Sequence, residues 1–341
     1  MRHFGLSVVV AIVCLVAAFF WGGPQAAAIA GILGVLEVSL SFDNAVVNAS
    51  VLRGWNTLWR ALFLTVGILV AVFGMRLLFP LLIVSQTSDM SIIDAWNLAL
   101  HDPKVYSEHL VAHHAEVAAF GGVFLLLVFL NFLIDEDKDT HWLGWVEEKI
   151  AAMHKLDTVA LLISVLVLLG AVSYLAPEGR QLPVLLAGVW GIATYVGVNV
   201  LSGLLSGDGD EGDGMKAIMR GGIGGFVYLE VLDASFSFDG VIGAFAVTND
   251  IIIIMLGLAI GAMFVRSLTV YFVEKGTLEQ FIYLEHGAHY AIGVLALIMF
   301  LGMRYHVPEI ATAVLGAFLI VLAVISSVRF RRKYPEGPAA N

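Results

Sequence analysis

The sequence predicts an all-α polytopic membrane protein of about ten transmembrane helices arranged as two inverted repeats. Three observations carry that prediction. Of 341 residues, 60% are hydrophobic and 13% charged, against roughly 45–50% and about 25% in soluble domains. Several segments reach the roughly 20 apolar residues needed to cross the hydrocarbon layer. Two similar acidic motifs, Glu37-Val-Ser-Leu-Ser-Phe-Asp43-Asn44 and Glu230-Val-Leu-Asp233-Ala-Ser-Phe-Ser-Phe-Asp239-Gly240, each lie inside such a segment.

In order, span one covers 4–21 and closes on Gly22-Gly-Pro24 with an alanine run. That pattern also resembles a secretory signal, but the charge distribution favours a retained span. Span two, 26–51, holds the first motif, and span three covers 60–84. A polar stretch over 85–116, rich in His and Asp, reads as the largest outer loop. Span four is 117–134. The connector 135–156 begins with Asp135-Glu-Asp-Lys-Asp139 and continues as an amphipathic segment, Trp142 to Met153, expected to lie at the membrane interface. Spans five and six are 157–176 and 182–205, joined by the turn Pro177-Glu-Gly-Arg180. The linker 206–214 is Gly/Asp-rich without the ligand order of an EF-hand. Span seven, 217–247, holds the second motif, spans eight to ten cover 251–273, 281–302 and 308–328, and a basic tail occupies 330–341.

Ten spans put both termini on one side. Placing them in the cytoplasm puts thirteen Lys and Arg inside and three outside, as the positive-inside rule requires. A multi-pass inner-membrane location follows, with the bilayer as the immediate partner. The net charge of −10 lies in loops and motifs and gives no basis for nucleic-acid binding. The single cysteine, Cys14, excludes a disulfide framework and a Cys-rich metal site. Oligomeric state stays open, with a homo-oligomer admissible.

The repeat extends beyond the motifs. Val66-Gly67-Ile-Leu-Val-Ala71-Val-Phe-Gly-Met-Arg76 aligns with Leu256-Gly257-Leu-Ala-Ile-Gly261-Ala-Met-Phe-Val-Arg266, with Gly, a small residue and Arg at equal offsets. An intramembrane Arg is costly and seldom recurs by chance. The motif spans stand five apart, so they cross in opposite senses, as in transporters whose site lies where two repeats meet. The halves divide as 1–156 and 157–329. By the same inversion, Arg76 is expected near the outer face and Arg266 near the inner one.

At about 100° per residue, Glu37, Ser41, Asn44 and Asn48 share one helix stripe, and so do Glu230, Asp233 and Ser237. Asp43 and Asp239 fall off their stripes, and helix breaks are expected there. An acid at a helix centre costs about 2.5–3.5 kcal/mol on insertion scales. The five acids therefore need a bound cation, protons, or the two arginines, and two arginines cannot balance five acids. Hard oxygen donors suit Mn²⁺, Ca²⁺ or Mg²⁺. Glu285, His286 and His289 have a spacing that can align further ligands. No phosphate loop, serine elbow or HExxH occurs, so no enzyme activity and no organic cofactor is expected.

Glu37 with Ser41-Phe-Asp43-Asn44-Ala45, Glu230-x-x-Asp233-x-x-Phe236-x-x-Asp239-Gly-Val-Ile-Gly-Ala-Phe, Ala246-Val-Thr248-Asn-Asp250, Arg266-Ser-Leu-Thr-Val-Tyr-Phe272 and Phe281-x-Tyr-Leu284-x-x-Gly287 together resemble the TerC family of integral membrane proteins, from about residue 26 to the end of span nine. The resemblance implies a cation exporter with manganese as substrate, tellurium resistance as the naming phenotype, and Glu37, Asp43, Asn44, Glu230, Asp233 and Asp239 as the cation site. Ser41, Asn48, Ser237, Arg76 and Arg266 would support it. Gly240 stands where that family usually has Ser. Two other readings remain beside it: a non-transporting scaffold or assembly factor in metal or tellurite stress, and an exporter of a small organic solute.

Overall fold

The computed structural model describes residues 4–135, 140–144, 147, 158–205 and 218–333, apart from the side chains of Thr87, Leu205, Phe238, Asp239, Ala246 and Glu309. Its helices are α1 (Gly5–Leu40), α2 (Phe42–Arg53), α3 (Thr57–Leu69), a π-helix (Val70–Leu78), α4 (Phe79–Thr87), α5 (Ile92–His101), α6 (Pro103–Ala112), α7 (His114–Ile134), α8 (Val159–Tyr174), α9 (Gln181–Leu205), α10 (Ile223–Val247), α11 (Ile251–Lys275), the turn α12 (Thr277–Gln280), α13 (Leu284–Gly302) and α14 (Glu309–Lys333). No strand occurs among the described residues. Seven of these helical stretches are long and apolar enough to cross a membrane, and α8 is a shorter apolar helix. Equally long α10 carries the three acids of the second motif.

Although continuous by hydrogen bonding, α1 divides at Gly22 and Gly23, where Gly23 takes φ 75°, ψ −167°. Only glycine tolerates that conformation, and Pro24 beside it lacks an amide donor. The chain folds back there. Leu15 faces Gly31, while Gly34 packs on Ile260, and the Ser7 hydroxyl donates to Met263 O at 2.8 Å. Both arms therefore run along α11. At the far end Trp21 Nε1 donates to Asp250 at 2.9 Å, and Asp250 in turn caps α11 by accepting from Ile252 and Ile253 amides. Because Ser7 lies near Ser267 and Arg331 reaches Glu279 O just beyond α11, the first helix starts and the last helix ends on the same side.

Helix α7 is apolar all round and is buried over residues 123 to 128, as such a helix must be inside a bundle. Its neighbours approach through small residues. Gly191 of α9 sits against the Phe120 carbonyl, and Gly293 of α13 against the Phe129 ring, the close packing that membrane helices use. The 85–116 stretch, expected as a polar loop, folds instead into α5 and α6. Ser91 and Asp102 cap them, and Ala95, Ala99, Tyr106 and Leu110 are buried with Leu33 and Phe245. Apolar residues four apart inside a polar composition were the sign of that amphipathic pair. The linker 206–214 lies outside the described residues, as does the interfacial segment 142–153 apart from residues 142–144 and 147.

Gly23→Ala is expected to destabilise the protein by about 1–3 kcal/mol through backbone strain alone, since open space surrounds the added methyl. Thermal unfolding of the detergent-purified variant checks this, and an unchanged midpoint contradicts the turn.

Candidate functional site

The two acidic motifs meet in the middle of the fold on antiparallel helices. Glu37 lies beside Gly240, whose missing side chain leaves room for the carboxylate: a Cβ there would stand 2.8 Å from Oε2. Seven residues on, Asn44 Nδ2 donates to Asp233 Oδ1 at 2.6 Å. Further along, Trp55 Nε1 donates to Ile218 O at 2.8 Å. As one chain rises the other falls.

Three motif acids, Glu37, Glu230 and Asp233, find the arginine of the following span. Arg76 pairs with Glu37 in a fully buried contact. Arg266 Nη2 stands 3.6 Å from both Glu230 Oε1 and Asp233 Oδ2, with its Cζ 3.7 Å over the Phe63 ring. Along the antiparallel motif helices Arg76 stands at the Glu37–Gly240 level and Arg266 at the Asp233–Glu230 level, farther toward the Trp55–Ile218 end. Both are buried at the level of the acids, because a charge in low dielectric needs its partner within reach. Asp43 has no arginine: its Oδ1 accepts the Asn44 amide at 3.0 Å in the first turn of α2, where the helix dipole favours an anion.

The stripe of Glu37, Ser41, Asn44 and Asn48 is buried throughout, and Ser41 donates to Glu37 Oε1 at 3.3 Å. The expected helix breaks occur in one motif only. Helix geometry lapses at Ser41 (φ −102°, ψ 18°), two residues before Asp43, whereas α10 passes unbroken through position 239. The Asp239 side chain lies outside the described residues. Of Glu285, His286 and His289, the two histidines are engaged elsewhere: His286 Nε2 meets Thr140 O at 2.8 Å and Glu147 Oε2 at 3.6 Å, and His289 stacks on Phe132 at 3.8 Å.

A cavity of about 370 Å³ reaches Glu37, Ser41 and Asp43 from the end opposite the termini. Phe42, Phe236, Leu295, Met299 and Ile320 wall it, and His114, Arg304, Tyr305 and His306 stand round its mouth. Around the acids several buried polar atoms have no hydrogen-bond partner: Asn44 Oδ1, both side-chain atoms of Asn48, Ser237 Oγ, both Glu230 oxygens and Arg266 Nη1. Natural interiors leave few such groups, and those left call for an explanation. Among the described residues no three His, Cys, Asp or Glu side chains converge as a closed metal site would require.

Gly67 and Gly261 complete the site, and residue type alone did not single them out as its walls. A Cβ on Gly67 would stand 2.4 Å from Glu230 Oε1, and one on Gly261 2.3 Å from the Glu37 stem. Their place before an intramembrane arginine in the repeated span was the available signal. Residues 42–334 match the family model described as Protein of unknown function (DUF475). No curated protein and no solved structure matches the chain.

Arg76→Gln leaves Glu37 buried without its cation and is expected to cost about 3–5 kcal/mol. Adding Glu37→Gln should recover much of that loss, which a double-mutant cycle of thermal unfolding measures. Additive losses would show that the pair is not coupled.

Proposed function

Since the chain belongs to the DUF475 family over residues 42–334, and that description assigns no activity, the function has to be drawn from the site: we propose a membrane transporter that exports a divalent cation through the two acidic motifs, with Mn²⁺ as substrate. One observation carries the reading. Four described buried acids, Glu37, Asp43, Glu230 and Asp233, face two buried arginines, and a cavity opens onto the acid that has no arginine. Positive charge from outside the protein offsets such an excess.

The TerC-like residues support manganese, and oxygen donors suit it. In this reading Glu37, Asp43 and Asn44 bind from one half and Glu230, Asp233 and Asp239 from the other, at least one acid exchanging a proton as the cation moves. Ten crossings result if the two arms of α1 count separately and α8 and α10 both span. Two inverted repeats are supported by the matched pairs Arg76–Glu37 and Arg266–Asp233 and by the antiparallel course of the motif helices. The cytoplasmic placement of both termini rests on the Lys/Arg distribution, and it makes the cavity an outward-facing one.

A second reading, export of a small organic cation, draws on the apolar walls of the cavity and on the lack of three convergent ligands among the described residues. A scaffold with acids held only by arginine leaves the charge excess unexplained.

Calorimetry with Mn²⁺, Ca²⁺ and Mg²⁺ separates these readings. Mn²⁺ should bind the wild type and bind Asp43→Asn at least tenfold more weakly, about 1.4 kcal/mol. Cells lacking the protein should accumulate manganese. No heat with any of the three ions, together with unchanged cell manganese on deletion, would sink the metal reading; heat with a tetraalkylammonium ion instead would establish the second.

A further inference from the structure

The mouth of the cavity is flanked by two arginine ties that the transport reading does not use. Arg304 Nη1, between α13 and α14, donates to Tyr174 O at the end of α8 at 3.0 Å. Arg180, ending the Pro177–Arg180 turn between α8 and α9, reaches the α6–α7 corner. Its Nη1 stands 2.6 Å from Ala112 O, 2.8 Å from Glu116 Oε1 and 3.0 Å from His113 Nδ1. Ala112, His114 and Pro177 all line the cavity, so Arg180 ties one side of the mouth to another.

The contact with His113 fixes a protonation state by hydrogen-bond chemistry. A guanidinium nitrogen only donates, and Nη1 has two hydrogens for three acceptors, so an Nδ1 that shares one of them at 3.0 Å presents its lone pair, with the ring neutral and the proton on Nε2. An imidazolium would set an N–H and a positive charge against the guanidinium. Glu116 Oε1, 3.6 Å from Nδ1, is the group that would welcome that proton, but it already accepts from Arg180 at shorter range. His109, one turn back on α6, is tied through Nδ1 to Ser88 Oγ at 3.0 Å and also disfavours a second cation. His114, Arg304 and His306 complete the titratable and charged groups round the opening. The His113 and Glu116 side chains are 19% and 15% exposed, open enough for solvent protons yet only partly screened.

We propose that Arg180 and His113 form a proton-released latch beside the outer mouth of the cavity: the mouth is held narrow while His113 is neutral, and widens when outer acidity protonates Nδ1 and drives the Arg180 turn away from the α6–α7 corner. The latch rests on the reading of this cavity as the outer access route. The sign follows from the surroundings. Burial and Arg180 hold His113 below its ordinary value, with Glu116 opposing, so the latched state persists into mildly acidic conditions, below the usual imidazole range, and is lost as pH falls further.

The test needs no substrate. In full-length protein with Cys14→Ala, a single Ala313→Cys reporter in the cavity wall is labelled by a membrane-impermeant thiol reagent between pH 7.5 and 5.5, and its rate is divided by that of an exposed Lys104→Cys reporter to remove the intrinsic thiol titration. The normalised rate should rise at least threefold on acidification. His113→Gln keeps an acceptor for Arg180 without a titratable group, and should be slow at both pH values. Arg180→Gln should be fast at both. A flat wild-type profile, or an unchanged pH response in His113→Gln, overturns the latch. Neither result bears on cation binding, which calorimetry reads separately; loss of Mn²⁺ binding with the pH response intact would condemn the transport reading and leave the latch standing.

Discussion

A carboxylate inside a hydrocarbon layer has to be met by a cation, a hydrogen-bond donor or a proton, and the centre of this protein is arranged around that demand. Glu37 draws Arg76 inward from its own span. Glu230 and Asp233 share Arg266, and Asn44 carries the contact across to the other motif. The three glycines at the site follow from the same demand, since each gives up a side chain where a carboxylate or its stem needs space. Gly240, beside the break expected at Asp239, serves as room for Glu37.

The parts of this arrangement that depend on short-range chemistry could be read from the residues. Gly22-Gly-Pro24 marked a break by conformation alone, and the helix duly turns there. The stripe from Glu37 to Asn48 is a matter of angular period, and it is buried as a unit. What depended on tertiary packing could not be read in the same way. Angular arithmetic placed the breaks at Asp43 and Asp239, yet α10 stays whole, because a side chain off the main stripe can still be accommodated where several helices surround it. Likewise symmetry paired the two arginines with each other, but which acid each one meets depends on packing. The polar content of 85–116 masked four apolar residues that dock two short helices. The pairing of His113 with Arg180 gave no sign in sequence, the two being 67 residues apart.

The cavity shows how the bundle divides its labour. Its floor is the acidic site and its walls are apolar side chains of α2, α10, α13 and α14, so whatever reaches Glu37 and Asp43 leaves bulk water before it meets charge. Low dielectric strengthens each electrostatic contact there. The glycines of α7 pack closely behind that wall, Gly121 and Gly122 against Met299 of α13.

The π-helix at Val70–Leu78 bears on how the two halves compare. A wide turn of this kind is rare and is often found at functional sites. Here Gly67 and Arg76 stand nine positions apart, as do Gly257 and Arg266, yet the first interval is wound partly as π-helix and the second lies wholly within an α-helix. No inserted residue accounts for the difference. One spacing supports two pitches in the same molecule, so pitch is set by surroundings, and the mismatch between the halves is one of shape at constant chain length.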